Sequence, residues 1–269
     1  MPFQPRTIAI ALSLAAVATV NAQANFAAKG EYAQYRNLSG LPASGYGVDS
    51  DGKITLKGAF SFSTPVAYSL KGGEISITLG NTSWDRNFRF FEDKREDDFG
   101  FKSNGTGSIN FGIDTKIGRF TAGMVVVSGA FENAYNVQFT PKQKEGPVQF
   151  GLGVQGLFAA GGFIGSGFAD NAADRSTSIF GVGTWKPNEK THVSLGIGTS
   201  RFHKGFGNVS YGFTDGIKGF VEYDGIDWNY GAGFNLGSFK LSKDRTAKFT
   251  GTLSMVAQKY AAWSLNISF

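Results

Sequence analysis

One pattern constrains this chain more than any other. Beyond residue 24, apolar and small polar residues alternate with a period of two, and no run shows the 3.6-residue spacing of an amphipathic helix. Ile75, Ile77 and Leu79 alternate with Ser76, Thr78 and Gly80. Ile109, Phe111 and Ile113 alternate with Ser108, Asn110 and Gly112, and Val148, Phe150, Leu152 and Val154 with Gln149, Gly151, Gly153 and Gln155. The same beat returns at Ile54–Phe62, Val193–Ile197, Trp228–Leu236 and Trp263–Phe269. Turn chemistry separates the runs at Lys71-Gly72-Gly73, Pro187-Asn188, Asp215-Gly216, Asp224-Gly225 and Lys243-Asp244. No helical crossover intervenes, so the strands are expected to be antiparallel and joined as hairpins.

One strand face is therefore apolar and aromatic, the other Ser, Thr, Asn, Gln and Gly. A soluble periplasmic β-sandwich that binds a ligand would put the apolar face inside. A membrane barrel puts it against lipid and keeps small polar residues in the lumen. Three features favour the barrel. The first is the N-terminus: Arg6 precedes an apolar run over Ile8–Val20, followed by Val20-Asn21-Ala22 and Ala22-Gln23-Ala24, the layout of a signal peptide over residues 1–24. At about 1.5 Å per residue that run is too short to span a bilayer as a helix. The second is the placing of Tyr211, Phe213, Tyr223, Trp228, Tyr260 and Trp263 near strand ends, as in interfacial girdles. The third is the C-terminus, where Trp263, Leu265, Ile267 and Phe269 alternate up to the last residue. This resembles the C-terminal signature of bacterial outer-membrane β-barrel proteins, which implies recognition by the outer-membrane assembly machinery.

About fifteen runs qualify as strands, the weakest being 66–70 and 163–168, and closed bacterial barrels usually have an even number. The expected fold is all-β, a closed antiparallel transmembrane β-barrel of about 14 strands within a range of 12–16. It would occupy residues 51–269 and be preceded by a periplasmic or plug segment over 25–50. A further resemblance concerns two patches. Asn37-Leu38-Ser39-Gly40-Leu41-Pro42 with Asp51-Gly52, Gly58 and Pro65, and later the acidic hairpin Phe220–Asn229, resemble exopolysaccharide-associated YjbH-type outer-membrane barrels. That resemblance implies a link to surface polysaccharide and no catalytic residue.

The acidic hairpin can be read in register. With Asp224-Gly225 as a two-residue loop, Glu222 faces Asp227 and Lys218 faces Gly231 on the lumen side. With Thr214-Asp215-Gly216 as a three-residue loop and Gly216 left-handed, Asn208 sits beside Glu222. The expected lumen cluster is Asn208, Glu222 and Asp227. Two facing carboxylates repel, so they need a cation, a shared proton or water. The cluster is then either an acidic constriction with weak cation affinity or a wet lumen neutralised by Lys218 or Arg201.

In Asp85–Asp98 the charge is too dense for hydrocarbon, so this run is a loop or a strand extension beyond the bilayer. Counting hairpins back from Phe269 puts it on the periplasmic side, against the tendency of long loops to face outward.

Composition closes off other classes. The chain has no Cys and two His, which excludes thiolate and His-rich metal sites and a Cys nucleophile. The +5 charge is spread without a Lys/Arg cluster, so no nucleic-acid partner is expected. An outer-membrane lipid or ester hydrolase would need a His beside a Ser or carboxylate. His192 and Ser194 point the same way but lie about 7 Å apart along a strand, and His203 has no Ser near it in sequence. No Gly-x-Ser-x-Gly or phosphate-binding Gly loop is present. The expected function is a non-enzymatic, porin-like barrel of the bacterial outer membrane. It would serve envelope structure or the passage or export of solutes, surface polysaccharide included, without cofactor or metal and with lipid as its surroundings.

Overall fold

In the computed structural model, residues 46–83, 103–127, 132–144, 146–160, 178–225, 227–243, 245–258 and 260–269 are described. Two short strands come first, β1 (Tyr46–Val48) and β2 (Ala59–Ser61). Twelve longer ones follow: β3 (Ile75–Ser83), β4 (Ser103–Asp114), β5 (Gly118–Val127), β6 (Glu132–Pro141), β7 (Val148–Ala160), β8 (Ser178–Trp185), β9 (Thr191–Gly198), β10 (Phe206–Thr214), β11 (Ile217–Tyr223), β12 (Trp228–Lys240), β13 (Thr246–Val256) and β14 (Tyr260–Ser268). β3–β14 form a closed barrel in sequence order, every neighbour antiparallel, with β14 paired to β3. The seam is closed by Ile75 N donating to the Phe269 carbonyl at 2.9 Å and Phe269 N donating to that of Ile75 at 3.1 Å.

The exterior is apolar. Leu79, Phe111, Phe150, Leu152, Leu195, Ile197, Phe213, Leu253 and Trp263 are exposed, whereas their polar neighbours along the strands (Thr78, Asn110, Ser194, Thr252, Ser264) are buried. This is the polarity of a chain whose outside solvent is hydrocarbon, and it rules out the sandwich alternative. Among the described residues no helix is long and apolar enough to cross a membrane, so the crossing falls to the strands. The protein is an outer-membrane barrel. Its aromatic rims include Tyr211 and Phe213, whose rings meet edge-on at 5.3 Å, and Tyr223 with Trp228 at 5.6 Å. Leu152 lies mid-strand on this outer face, 60% exposed. Leu152→Arg is expected to cost about 2–4 kcal/mol, read from urea unfolding in lipid vesicles against a near-neutral Leu152→Met.

Twelve wall strands fall at the low end of the expected range, below the 14 expected. The difference lies between residues 46 and 74. The Ile54–Phe62 alternation and the 66–70 run are inside the barrel, not in its wall, so the wall begins at Ile75 rather than at residue 51. The 163–168 candidate and the 1–24 signal segment lie outside the described residues.

Strand direction fixes the rims. Residues 115–117, 142–147, 186–190, 215–216 and 241–245 connect strands at the rim that carries Phe269. β3 and β4 are joined at the opposite rim, which corrects the count that put the Asp85–Asp98 connection on the Phe269 side. The charged run itself lies outside the described residues.

The interior segment has its own logic. β1 and β2 pair as a small ribbon, Tyr46 opposite Ser61 and Val48 opposite Ala59. Asp49 Oδ1 accepts from Asp51 N at 3.0 Å and Lys53 N at 2.9 Å, an Asx turn that Gly52 completes at φ +79°. Tyr46, Val48, Ile54, Ala59, Val66, Tyr68 and Leu70 pack into one buried cluster. A barrel of about 8 strands is filled by its own side chains and one of 16–18 leaves a channel. Twelve strands leave a space between these cases, and this segment fills it.

Candidate functional site

The wall meets residues 46–74, the plug, largely through polar side chains. Ala67 N donates to Thr184 Oγ1 at 2.8 Å, Ser69 N to Thr140 Oγ1 at 2.8 Å, Leu70 N to Thr121 Oγ1 at 2.7 Å and Phe60 N to Ser210 Oγ at 3.2 Å. Gln138 Nε2 donates to the Val66 carbonyl at 2.7 Å, and Arg119 to that of Ser50. Lys218 Nζ donates to the Gly58 carbonyl at 2.5 Å and lies 3.2 Å from His192 Nδ1. Tyr68 meets the His192 ring edge-on at 6.3 Å, and burial pushes the Tyr68 phenol up to about 12, so it stays neutral.

Three wall glycines face plug atoms. A Cβ on Gly151 would lie 3.1 Å from the Ala67 main chain, one on Gly233 2.5 Å from the Phe60 ring, and one on Gly112 would run into the Lys71 carbonyl. Side chains are missing from the wall where the plug comes closest.

The tightest contact is made by Glu222. Its carboxylate accepts from Phe62 N at 3.0 Å, Ser63 N at 2.9 Å, Ser63 Oγ at 2.9 Å, Thr64 Oγ1 at 3.0 Å and Asn229 Nδ2 at 3.1 Å. Asn208 Nδ2 donates to Thr64 Oγ1 at 2.8 Å, and Asn229 Nδ2 reaches Ser63 Oγ at 3.3 Å. Arg201 closes the far side, donating to the main-chain carbonyls of Ser63 at 2.8 Å and Asp224 at 3.1 Å and to Gln155 Oε1 at 3.2 Å. Glu222, Asp224, Asn229, Gln155 and Arg201 are fully buried.

The structure therefore brings together two of the three residues expected in the cluster. Asn208 is the cross-strand partner of Glu222, as the Thr214–Gly216 turn implies. The route differs: the extra residue is a bulge at Phe213, and Gly216 is not left-handed. Asp227 does not face Glu222. Asp224 Oδ1 accepts from Asp227 N at 2.9 Å and Asp224 N donates to the Asp227 carbonyl at 3.1 Å, so residues 224–227 form a four-residue loop. Glu222 then faces Asn229, and Lys218 faces Gly233. A slip of two residues keeps the same face, so the polar lining survives the error. Glu222 and Asp227 do not pair across the strands; the carboxylate that shares Asn229 Nδ2 with Glu222 is that of Asp224, whose Oδ2 accepts at 3.0 Å. Lys218 turns to Gly58 rather than to Glu222.

Sequence reasoning missed Asp224, Asn229 and Ser63–Thr64, because the plug was not separable from the wall. His192 and Ser194 do not form a hydrolytic pair: Ser194 Oγ lies 2.9 Å from Thr184 Oγ1 and His192 faces Lys218. No group of His, Asp and Glu that could hold a metal occurs among the described residues. At the C-terminus, Trp263, Leu265, Ile267 and Phe269 lie on the outer face of β14 and just beyond it, with Ala262, Ser264, Asn266 and Ser268 buried between them.

No family model matches the chain, and no curated protein does. Solved structures do. A structure of KdgM porin shares 14% identity at a TM-score of 0.42, covering 72% of this chain and 98% of that one. A double mutant of Rh. blastica porin shares 13% at a TM-score of 0.32, covering 75% and 74%. A Salmonella typhi outer membrane phospholipase (OMPLA) dimer with bound calcium shares 8% at a TM-score of 0.39, covering 73% and 90%. The YjbH-type resemblance has no counterpart among these matches.

Proposed function

We propose that the protein is a gated conduit for small hydrophilic solutes across the outer membrane, held shut by residues 46–74. The carrying observation is the way the plug is held. Its main chain is hydrogen-bonded by side chains of Ser, Thr, Gln, Glu and Lys projecting from the wall, and water can replace each of those bonds when the segment withdraws. A barrel serving only as a rigid envelope element has no need of a polar lining behind its filling. Saccharides fall within the solute class, in line with the resemblance of the Phe220–Asn229 hairpin to exopolysaccharide-associated barrels. The reading is non-enzymatic.

The test uses the wall glycines. Gly151→Leu with Gly233→Leu places side chains where Ala67 and Phe60 now sit and leaves the outer face untouched. The double variant is expected to fold, shown by heat-modifiable gel mobility, and to carry ion current in planar bilayers where the wild type is mostly closed. A folded double variant with no added current would make the segment a fixed core and the barrel a structural element of the envelope.

A further inference from the structure

The plug tip is bound in a manner that points to a particular ligand chemistry. Two neighbouring hydroxyls, Ser63 Oγ and Thr64 Oγ1, each donate to the Glu222 carboxylate. Thr64 Oγ1 also accepts from Asn208 Nδ2 at 2.8 Å, and Ser63 Oγ lies 3.3 Å from Asn229 Nδ2, whose shorter bonds go to Asp224 Oδ2 at 3.0 Å and Glu222 Oε1 at 3.1 Å. Two adjacent hydroxyls donating to one carboxylate, with amides beside them, is the hydrogen-bonding demand of a vicinal diol. Beside it Phe62 lies against the wall residue Phe220, rings 6.5 Å apart and 13° from parallel. An apolar face stacked on an aromatic ring next to a paired-hydroxyl edge is the surface a pyranose presents.

A second observation is independent of the plug's own bonds. Asn208 Oδ1 and Gln155 Nε2, an acceptor and a donor, are buried without a partner. Asn208 is 3% exposed and its amide already touches Thr64. Gln155 is fully buried, and its other amide atom accepts from Arg201, whose guanidinium also holds the Ser63 carbonyl. Buried polar groups are rarely left so. A ligand hydroxyl in place of the tip could serve both kinds of atom, which the tip itself does not.

We infer that Glu222, Asn208, Asn229 and Phe220 form a saccharide-binding site in the lumen, and that Phe62-Ser63-Thr64 occupies it as an internal stand-in for sugar. The inference rests on the conduit reading and names its solute class: neutral sugars with adjacent equatorial hydroxyls. Sugar and plug tip compete for the same atoms, so binding of one releases the other.

The experiment measures maltose binding by equilibrium dialysis to full-length protein in a sugar-free detergent such as an amine oxide. In Ser63→Ala/Thr64→Ala the tip loses its two side-chain bonds to Glu222 and keeps only those from Phe62 N and Ser63 N, and maltose affinity is expected to rise by about tenfold or more over the wild type, since each hydrogen bond to a charged group is worth that much. Adding Glu222→Gln and Asn208→Ala to that variant is expected to abolish the gain. A polyethylene glycol of similar mass, lacking vicinal hydroxyls, is expected not to bind. Equal maltose affinity in wild type and Ser63→Ala/Thr64→Ala, or equal retention of the glycol, overturns the site. Bilayer current through the same variant separates the two readings. Added current without maltose binding leaves the conduit and removes the sugar site. Maltose binding without current leaves the sugar site and removes the conduit.

Discussion

Glu222→Ala is expected to undock the plug tip while leaving the barrel folded. The substitution strips the acceptor from Phe62 N, Ser63 N, Ser63 Oγ, Thr64 Oγ1 and Asn229 Nδ2, all within a buried environment. A buried donor left unsatisfied costs about 1–3 kcal/mol. Two such donors are enough to shift the docked-to-undocked ratio by about a hundredfold. The wall is held by the β3–β14 ladders, in which Glu222 takes part through its main chain alone. Single-channel recording should therefore show a large rise in open probability with unchanged heat-modifiable mobility. Glu222→Gln keeps the size and one oxygen acceptor and should fall between the two. If Glu222→Ala is as closed as the wild type, the clamp is not what keeps the lumen shut.

The second large effect is expected at the other end of the chain. Deleting Phe269 removes both main-chain bonds that join it to Ile75 and shortens the apolar outer row of Trp263, Leu265 and Ile267. Folded protein in the outer membrane should then nearly vanish. Phe269→Ser separates seam from signal, since it keeps both main-chain bonds and discards the ring. If the aromatic terminus is read by the assembly machinery, Phe269→Ser refolds normally into vesicles but fails to assemble in cells. Normal assembly of Phe269→Ser in cells would leave Phe269 with a role in the seam only.

The wall was legible for a plain reason. A lipid-facing strand must be apolar on one side along its whole length, so Phe150, Leu152 and Leu195 announce both strand and face. Hairpin register came out right at Thr214–Gly216 only because a bulge at Phe213 supplies the residue that the expected three-residue loop would have, and it failed where a side chain sets the turn. Asp224 spends its carboxylate on Asp227 N, and nothing in the dipeptide Asp224-Gly225 shows that. The plug was illegible because period two reports which side of a strand is apolar, not what it touches. Ile54, Leu56, Phe60 and Phe62 alternate like a wall strand, yet Phe60 and Leu56 press on the bare backbone of Gly233 from within. The glycines were the available signal. Gly112, Gly151 and Gly233 stand where the plug crowds the inside, and an unfilled lumen would not require them there.

On its C-terminal side the plug runs directly into the wall. Gly73 N and the Glu74 carbonyl already pair with Gly112, and the chain enters β3 at Ile75 on the lip that carries Phe269. At this end the filling is fastened to that lip of the tube. Any withdrawal of the plug would therefore leave this end moored at the Phe269 lip, two residues from the first wall strand.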